Sequence, residues 1–488
     1  MELQQDYDVL IVGAGVAGMY GALNLPSDRR VLLLAKYALD VSSSNLAQGG
    51  VAAVLSFEDD SFALHVRDTM IAGRQANDRL AVETLVREGP DDVRRVMDFG
   101  ADFDRNADGE LDKTLEGGHC RRRIVHHRDC TGAELVRALS AEVRRRENVT
   151  LVENAAVLSL QKMPGWGFGA LVNVGGGVFP VYAPFVLLAT GGIGRVYRYT
   201  TNPRASTGDG VRLAWELGAF VKDLSWIQFH PTAFHSEDGE QFLISESVRG
   251  EGAYLLNCDR QRFMDRYDER LELAPRDVVS RAIMLEEQRT GSSDFYLDIT
   301  HEDAAFLRDR FPAINEGCLR HGVDFTKDLI PVYPCQHYLM GGIEVDLDSR
   351  TTVPGLYAAG ECSNTGVHGK NRLASNSLLE ALVFSRRAAA SMAALFAAGR
   401  VKTPVHRCMK PNLTGKSVRP DLPERIRGIM QKSHFVLPDA EKAREGLAEI
   451  TEILADLKTG DYALTVENTE ALSLATVAYI VLKEAAAQ

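Results

Sequence analysis

The sequence predicts an α/β protein, in which a Rossmann-like nucleotide-binding domain is interrupted by an α+β capping domain and followed by a C-terminal helical bundle. Three observations predict this fold. An apolar run at residues 9–12 enters a glycine turn at residues 13–18 and then a helical stretch, as at the start of a nucleotide-binding sheet. The alternation of strands and helices fades between residues 226 and 339. Beyond residue 420 only helical patterns remain.

Four segments follow from these observations. We expect residues 1–225 to form the first part of the nucleotide-binding domain and residues 340–408 its second part. Residues 226–339 form the capping domain, and residues 409–488 form a three-helix domain. A chain of 488 residues has room for two or three domains and a sizeable core.

The local patterns predict the elements in order. Predicted strands cover residues 9–12, 31–35, 150–160, 170–174, 186–188 and 355–359. Predicted helices cover residues 78–88, 90–99, 131–146, a stretch ending near 397, and then 424–433, 440–457 and 466–487. Thr131 and Glu134 have the spacing of a capping box, and Pro275 suits the start of a helix with Arg276 in its first turn.

Composition argues against several functional classes. The formal net charge of −12 argues against a nucleic-acid-binding protein. The seven cysteines are scattered without paired spacing, so we expect no disulfide framework and no metal site, and a reducing, cytoplasmic location. The acidic residues 1–8 are unlike a secretory signal. The apolar run from residue 9 to 25 contains the glycine turn, so we interpret it as strand plus helix and expect no membrane association.

The glycine turn is the strongest local signal. Gly13 permits the tight turn, Gly15 lets a pyrophosphate approach the backbone, and Gly18 lets the helix pack against the strand. The N-terminus of that helix offers free N–H groups and a partial positive charge to phosphates. A glycine turn with a purely structural role is the alternative.

Downstream residues indicate which dinucleotide binds. NAD sites usually carry an acidic residue at the end of the second strand, but this chain has Lys36 there. A third apolar strand ends in the sequence Ala-Thr-Gly-Gly at residues 189–192, and a fourth ends at Gly360 and Glu361. Such strand ends are typical of proteins that bind the longer FAD molecule.

Two polar loops are candidate parts of a site. Residues 41–53 are rich in serine and glycine, and residues 116–123 place Glu116 and His119 beside three arginines. If the second loop reaches an active site, Glu116 could meet a substrate ammonium, and the arginines could attract an acidic substrate. The alternatives are an ordinary surface loop and a solvated charge run. Single histidines and arginines elsewhere are equally open to structural roles.

Taken in order over nearly the whole chain, these motifs resemble the L-aspartate oxidases of the succinate dehydrogenase and fumarate reductase flavoprotein family. The motifs that carry the resemblance are residues 13–18, 46–50, 116–119, 189–192, 229–232, 275–277, 337–338 and 371–378.

The resemblance implies FAD as the cofactor, bound without a covalent link, because Ser43 stands where the dehydrogenases and many fumarate reductases have the histidine that holds FAD. Glu116 and the sequence Ala-Ser-Asn-Ser at residues 374–377 resemble the oxidases more than their relatives, whereas Lys370 departs from the usual small residue. The implied FAD-binding residues are Gly13, Ala14, Gly15, Val16, Lys36, Ser43, Ser44, Asn45, Leu46, Ala47, Gln48, Gly49, Gly50, Asp209, Glu361, Ser377 and Leu378.

The resemblance also implies the substrate site. Its implied catalytic residues are Arg276 and Glu116, and its implied substrate-binding residues are His230, Ser245, Glu246, His337 and Arg372. An arginine can bind a carboxylate through a planar fork. In this interpretation the two arginines bind the two carboxylates of aspartate, and Glu116 faces the ammonium.

The implied reaction is oxidation of L-aspartate to iminoaspartate. Electrons pass to FAD and then to O2, giving H2O2, or to fumarate, and the product goes on to quinolinate synthase in NAD biosynthesis. Two alternatives remain at this point. One is the flavoprotein subunit of a fumarate reductase or succinate dehydrogenase, and the other is a flavin-binding protein without catalytic activity.

Overall fold

A computed structural model describes residues 4–235 and 241–487 of the chain. The part before residue 226 contains most of the strands. These strands are β1 Val9–Val12, β2 Val31–Leu34, β3 Val51–Ala52, β4 Lys113–Thr114, β5 Ile124–Val125, β6 Val149–Val152, β7 Ala155–Lys162, β8 Phe168–Val174, β9 Gly177–Ala183, β10 Phe185–Leu188 and β11 Val221–Lys222. The helices are α1 Val16–Leu23, α2 Phe62–Ala72, α3 Arg79–Asp98, α4 Thr131–Arg145 and α5 Asp209–Glu216.

The remaining elements follow in two groups. Residues 226–339 contain β12 Ile227–Phe234, α6 Glu246–Gly250, β13 Tyr254–Leu256, α7 Arg276–Thr290, β14 Tyr296–Asp298, α8 Ala304–Arg310, α9 Pro312–Arg320 and β15 Ile330–Leu339. The rest of the chain contains β16 Gly342–Glu344, β17 Leu356–Ala358, β18 Ser363–Asn364, α10 Asn376–Ala397, α11 Leu422–Ser433, α12 Ala440–Thr459 and α13 Val466–Ala485.

A five-stranded parallel sheet is the centre of the nucleotide-binding part. Its strand order is β17-β10-β1-β2-β6, and Val9 pairs with Val31 on one side and with Phe185 on the other. Every residue of β1, β2 and β10 is buried, as expected for parallel strands covered on both faces. The prediction of an α/β fold is confirmed. Because the strands are parallel, their carboxyl ends meet at one edge of the sheet, where ligands bind in such folds.

A separate antiparallel sheet carries the two histidines of the predicted substrate site. Its order is β12-β15-β14-β13. Gln228 on β12 pairs with Tyr338 on β15, and His230 pairs with Cys335. The register shifts twice along this pair, so residues 228–230 and 336–338 are brought close together at one end of the sheet.

The C-terminal helices pack against the nucleotide-binding part. Leu474, Val477 and Val481 of α13 share one core cluster with Leu10 of β1 and Leu188 of β10. The three predicted C-terminal helices are confirmed, with small differences at their ends. Within the described ranges, no helix has the length and apolar character needed to cross a membrane.

Two local predictions are wrong. The predicted break before Pro90 is absent, because α3 runs through it as one helix. Proline normally interrupts a helix, but here α3 is fixed to α10 by ion pairs of Arg386 and Arg387 with Glu88 and of Arg386 with Asp92.

The capping box at the start of α4 does not form. Cys130 is the N-cap residue and makes no side-chain cap bond. The Thr131 hydroxyl instead accepts a hydrogen bond from the backbone N–H of His127 at 3.0 Å. The Glu134 carboxylate accepts one from the backbone of Asp102 at 2.7 Å. Thr131 therefore serves a local contact with the residues before the helix, and Glu134 serves a tertiary contact that the local spacing could not reveal.

Candidate active site

A cavity of about 520 Å³ lies at the carboxyl ends of the parallel strands and continues to the antiparallel sheet. It brings together most of the predicted site residues. From the predicted cofactor set it is lined by Gly13, Ala14, Gly15, Lys36, Ser43, Ser44, Leu46, Ala47, Gln48, Gly49, Gly50, Asp209, Glu361, Ser377 and Leu378. From the predicted substrate set it is lined by Glu116, Ser245, Glu246, Arg276, His337 and Arg372.

Three predicted residues lie outside the lining. Val16 uses its backbone N–H to donate to the Ser44 hydroxyl at 3.1 Å. The backbone N–H of Asn45 donates to the hydroxyl of Ser42. His230 is fully buried behind the wall, with its ring 5.1 Å from that of His337.

The glycine turn packs tightly against the neighbouring backbone beside the cavity. Gly13 has a φ of +107°, and a Cβ added there would lie 2.2 Å from the carbonyl oxygen of Ala189. A Cβ on Gly18 would lie 1.8 Å from the carbonyl oxygen of Gly13. Only glycine satisfies both the φ angle and the close packing. The backbone of the turn and the start of α1 are therefore held next to the cavity, as pyrophosphate binding requires.

Polar groups along the cavity also fit a polar ligand. The side-chain oxygens Gln48 Oε1 and Thr190 Oγ1 are buried and have no hydrogen-bond partner in the described part of the chain. Both residues line the cavity. Because buried polar atoms are nearly always hydrogen-bonded, these two oxygens are available to a bound molecule. Together with the glycine turn they make the cavity a good fit for FAD.

Lys36 connects the sheet to the C-terminal helices. Its ammonium lies 2.8 Å from Asp209 Oδ2 and 2.5 Å from Glu470 Oε1 of α13, and donates to the Thr207 hydroxyl at 2.8 Å. Burial alone would lower the pKa of Lys36, but Asp209 and Glu470 outweigh burial and raise it. Lys36 is therefore a fully charged residue held between two carboxylates at the end of β2.

Glu361 is a buried carboxyl group in the cavity wall. Its Oε1 accepts the backbone N–H of Leu339 at 3.0 Å. Burial raises its pKa to about 7, although this hydrogen bond and the nearby Arg372 oppose the rise. At neutral pH the group is therefore partly protonated, and can donate a hydrogen bond as well as accept one.

The two predicted carboxylate-binding arginines meet at Gln228. The Gln228 side-chain oxygen accepts hydrogen bonds from Arg276 Nη1 at 3.3 Å and from Arg372 Nη2 at 3.2 Å. Its amide nitrogen donates to the Arg372 carbonyl at 2.9 Å and to Asn371. A neutral amide thus holds two like charges side by side and facing the cavity.

The two arginines differ in how their charges are compensated. Arg276 donates from Nε to Glu246 Oε2 at 2.6 Å. Arg372 has no carboxylate partner within residues 4–235 and 241–487, and it lies over the ring of Tyr338 at 4.1 Å. Burial and the nearby Arg276 lower the pKa of Arg372 to about 10, so it stays charged at neutral pH. Arg372 therefore presents a buried, uncompensated cation to the cavity.

A second arginine, Arg249, lies close to the Glu246 carboxylate. Arg249 is fully buried, and its Nη2 lies 3.9 Å from Glu246 Oε2. Its Nε and Nη2 have no hydrogen-bond partner among the described residues, and burial lowers its pKa. Burial would raise the pKa of Glu246, but Arg276 and Arg249 lower it. Arg276, Glu246 and Arg249 thus form a continuous charged chain that leads away from the cavity.

Glu116 lies on another wall of the cavity. Its Oε2 accepts a hydrogen bond from the Ser375 hydroxyl at 2.7 Å, and its Oε1 would lie 3.2 Å from a Cβ on Gly49. Ser375 itself has a φ of +60° in the turn before α10. The carboxylate is therefore oriented by one side chain, and its second oxygen has no hydrogen-bond partner within residues 4–235 and 241–487 and is available to a ligand.

One of the three arginines after Glu116, Arg123, is held in buried contacts away from the cavity. Arg123, one of the three arginines considered for attracting an acidic substrate, is buried and donates to Asp60 and Asp68 at 2.8 Å. It also donates to His119 Nδ1, and His119 Nε2 lies 2.9 Å from the carbonyl of Ala374. Because an arginine can only donate, His119 Nε2 carries the proton and donates to that carbonyl. For Arg123 the expectation is wrong, because its role is structural.

The two histidines of the site, buried His230 and partly buried His337, are neutral. Burial, with the nearby arginines, lowers the pKa of His230 and of His337 well below the usual range. His337 Nδ1 lies 3.2 Å from the Thr201 hydroxyl, and His230 Nδ1 accepts the backbone N–H of Thr232. His230 Nε2 has no partner within the described ranges. Neutral imidazoles add no charge repulsion and can donate hydrogen bonds to an anion.

Four residues of the site were missed in the sequence: Gln228, Arg249, Tyr338 and Ser375. Gln228 is two positions before His230 on one strand, and side chains two apart share a face, so this spacing could have indicated it. Ser375 lies inside the motif at residues 371–378. The roles of Arg249 and Tyr338 depend on contacts with Glu246 and Arg372, which are distant in sequence.

Comparisons with known proteins show the family of the chain. The family model of the FAD binding domain matches residues 8–378. The L-aspartate oxidase of Clostridium perfringens is 47 % identical over 384 residues, which cover 78 % of this chain and 85 % of the relative. That of Streptomyces coelicolor is 44 % identical over 506 aligned residues, covering 98 % and 86 %. A solved quinol-fumarate reductase with menaquinol molecules has a TM-score of 0.89 at 29 % identity, covering 99 % of this chain and 91 % of that chain.

Proposed function

The chain belongs to the L-aspartate oxidases, within the family that shares this FAD binding domain, and we infer from this membership that it oxidises L-aspartate to iminoaspartate. This reaction is the first step of NAD biosynthesis. The observation that carries the inference is the pair of arginines that meet at Gln228 in the wall of the cavity that Glu116 also lines. Two cations and one carboxylate match the two carboxylates and one ammonium of aspartate.

FAD supplies the oxidising chemistry when it is bound, since it takes two electrons from the substrate and passes them to O2, which becomes hydrogen peroxide. We propose that the cavity residues of the predicted cofactor set hold it, with the glycine turn at the phosphates. Ser43 has no group that forms a stable flavin linkage and lies 3.4 Å from the hydroxyl of Ser206, which supports non-covalent binding.

Arg276 and Arg372 bind the two substrate carboxylates in this proposal. A planar guanidinium can make two parallel hydrogen bonds to a carboxylate. Arg372, which has no carboxylate partner of its own in the described part of the chain, gains most from a bound anion. His337 and Ser245 line the same end of the cavity and are placed to donate to the same carboxylates, and His230 supports His337 from behind.

Glu116 binds the substrate ammonium in this proposal. Glu116 lines the cavity and its Oε1 has no hydrogen-bond partner among the described residues, whereas Glu246 is already paired with Arg276. A charge-assisted hydrogen bond from the ammonium would orient the substrate Cα. Arg276 binds and orients the substrate during oxidation and is not its base, because an arginine stays protonated in proteins. With fumarate, the same protonated group is the proposed proton donor.

The electron acceptor and the use of the product are further proposals. O2 is the proposed acceptor, fumarate is the alternative one, and the iminoaspartate product is proposed to pass to quinolinate synthase. The fumarate reductases are relatives in fold, and the relatives with higher identity are L-aspartate oxidases. This supports the oxidase over the fumarate reductase or succinate dehydrogenase alternative.

The test is an anaerobic addition of L-aspartate to the FAD-loaded protein. The visible flavin absorption should bleach with L-aspartate but not with succinate. Admission of air should restore the absorption and produce hydrogen peroxide. Bleaching by succinate alone would instead favour the dehydrogenase, and no bleaching by either compound would remove the substrate assignment.

A further inference from the structure

Behind Arg372 the structure contains a buried side-chain network of Tyr338, Glu380, His368 and Thr365, of which only Tyr338 lines the cavity. The ring of Tyr338, itself 6 % exposed, lies 4.1 Å from the Arg372 guanidinium. The other contacts of this guanidinium are neutral: it donates to Gln228 and to the Ser377 hydroxyl. Tyr338 is therefore the main group that faces the flat side of the cation.

The hydroxyl of Tyr338 is connected to a buried anion. It donates to Glu380 Oε2 at 2.9 Å, and Glu380 is 1 % exposed on α10. His368 Nε2 lies 2.9 Å from the same oxygen, and the Thr365 hydroxyl donates to the other. Burial would raise the pKa of Glu380, but His368 and these hydrogen bonds lower it. Glu380 is thus an ionised carboxylate with both oxygens occupied.

These contacts fix which group donates in the hydrogen bond between Tyr338 and Glu380. An ionised carboxylate can only accept, so the Tyr338 hydroxyl must donate to it, and this donation sets the orientation of the ring. Donation to an anion also increases the negative charge on the face of the ring, which strengthens its attraction for a cation. Without the oriented ring of Tyr338, the Arg372 side chain could adopt other rotamers when the cavity holds no anion.

We propose that Glu380 is a positioning residue for Arg372 and acts through Tyr338, so that the guanidinium is oriented before the substrate carboxylate binds. This proposal rests on the proposed function, in which Arg372 binds that carboxylate. Neither Glu380 nor His368 is among the residues lining the cavity, so Glu380 acts on binding through Tyr338. Preorganisation of this kind improves binding without adding a contact to the ligand.

The test measures binding of succinate, a dicarboxylate without an amino group, to the FAD-loaded protein through the change it causes in the flavin spectrum. Tyr338→Phe keeps the ring and removes the hydroxyl. It should raise the Kd for succinate and the KM for L-aspartate about tenfold, because the cost of ordering the Arg372 side chain would then be incurred on binding, with kcat changed less than about twofold. Glu380→Gln should act in the same direction.

The decisive comparison is the same substitution in an Arg372→Lys background. If Tyr338 acts through Arg372, Tyr338→Phe should change the succinate Kd there by less than about twofold, because interacting residues are not additive. The matched control is Tyr357→Phe, another buried tyrosine, whose hydroxyl contacts Ser391 away from the cavity. This control should bind succinate as the unmodified protein does.

Two results would overturn the proposal. One is unchanged succinate binding in both Tyr338→Phe and Glu380→Gln. The other is an equal loss with and without Arg372, which would indicate a general structural effect. Failure of the proposed function would look different, because the unmodified protein would then not be reduced by L-aspartate or would be reduced by succinate.

Discussion

Arg276 and Glu246 form a partly buried ion pair, with Nε 2.6 Å from Oε2, in the cavity wall. The neighbouring Arg372 has no such partner in the described ranges. The two arginines of the cavity therefore differ in whether a carboxylate of the protein compensates their charge. An incoming dicarboxylate must compete with Glu246 for Arg276, whereas at Arg372 it meets a free cation. Arg372 should accordingly contribute more to ground-state binding.

Arg372→Ala should lower kcat/KM for L-aspartate by roughly 10²- to 10³-fold, since truncation of a buried charged partner costs about 2–5 kcal/mol. Steady-state peroxide formation measures the change. Arg94→Ala, on the exposed side of α3, is the control and should match the unmodified protein. Turnover of Arg372→Ala at near-normal efficiency would show that Arg372 does not bind the substrate carboxylate.

Glu116→Gln should damage aspartate oxidation more than fumarate reduction. Fumarate has no ammonium group, so only the oxidation loses a charge-assisted hydrogen bond, which corresponds to roughly tenfold or more in kcat/KM. Both activities are measured on the same FAD-loaded preparation. Equal losses in the two directions would remove the proposed contact with the ammonium.

Glu470→Gln should weaken FAD binding although Glu470 is on the C-terminal helix α13. Glu470 is one of two carboxylates that hold Lys36 at the end of β2, and a partly buried charged contact of this kind is worth about 1–3 kcal/mol. Titration of the FAD-free protein with FAD, followed by fluorescence, should show a Kd raised roughly tenfold. Glu467→Gln, one turn earlier and exposed, should bind FAD normally; an equal effect there would contradict the role of the ion pair.

The stability of the FAD-free protein should fall as pH rises from about 5 to 8 because of Glu361. Its pKa is raised from 4.5 to about 7 in the folded state, so the folded protein binds more protons than the unfolded chain between these values. Stability therefore decreases with pH across that window, by up to about 3 kcal/mol. Urea unfolding at several pH values measures it, and the slope should be smaller in Glu361→Gln. An unchanged slope in that variant would assign the dependence to other groups.

Much of the fold follows from local pattern. Leu10, Ile11 and Val12 form an apolar run that only a strand covered on both faces explains, and the glycines at 13, 15 and 18 require a tight turn with close backbone packing. Such signals need no distant partner. The predicted break at Pro90 is absent, and ion pairs join α3 to α10 on both sides of this residue, a tertiary contact that the local preference of proline does not include. The division of the chain into domains at residues 225, 339 and 408 stays a prediction.

The sequence by itself determined the strand–turn–helix unit, because motif spacing is a local property, and its resemblance to the L-aspartate oxidases implied FAD and most residues around the cavity. Only the tertiary structure decided which charges are compensated. Arg123 is paired with Asp60 and Asp68, Arg276 with Glu246, and Arg372 with no carboxylate among the described residues. These partners are up to 63 positions apart in sequence. Charge pairing depends on distance in space, which chain order does not reveal until the sheets bring the residues together.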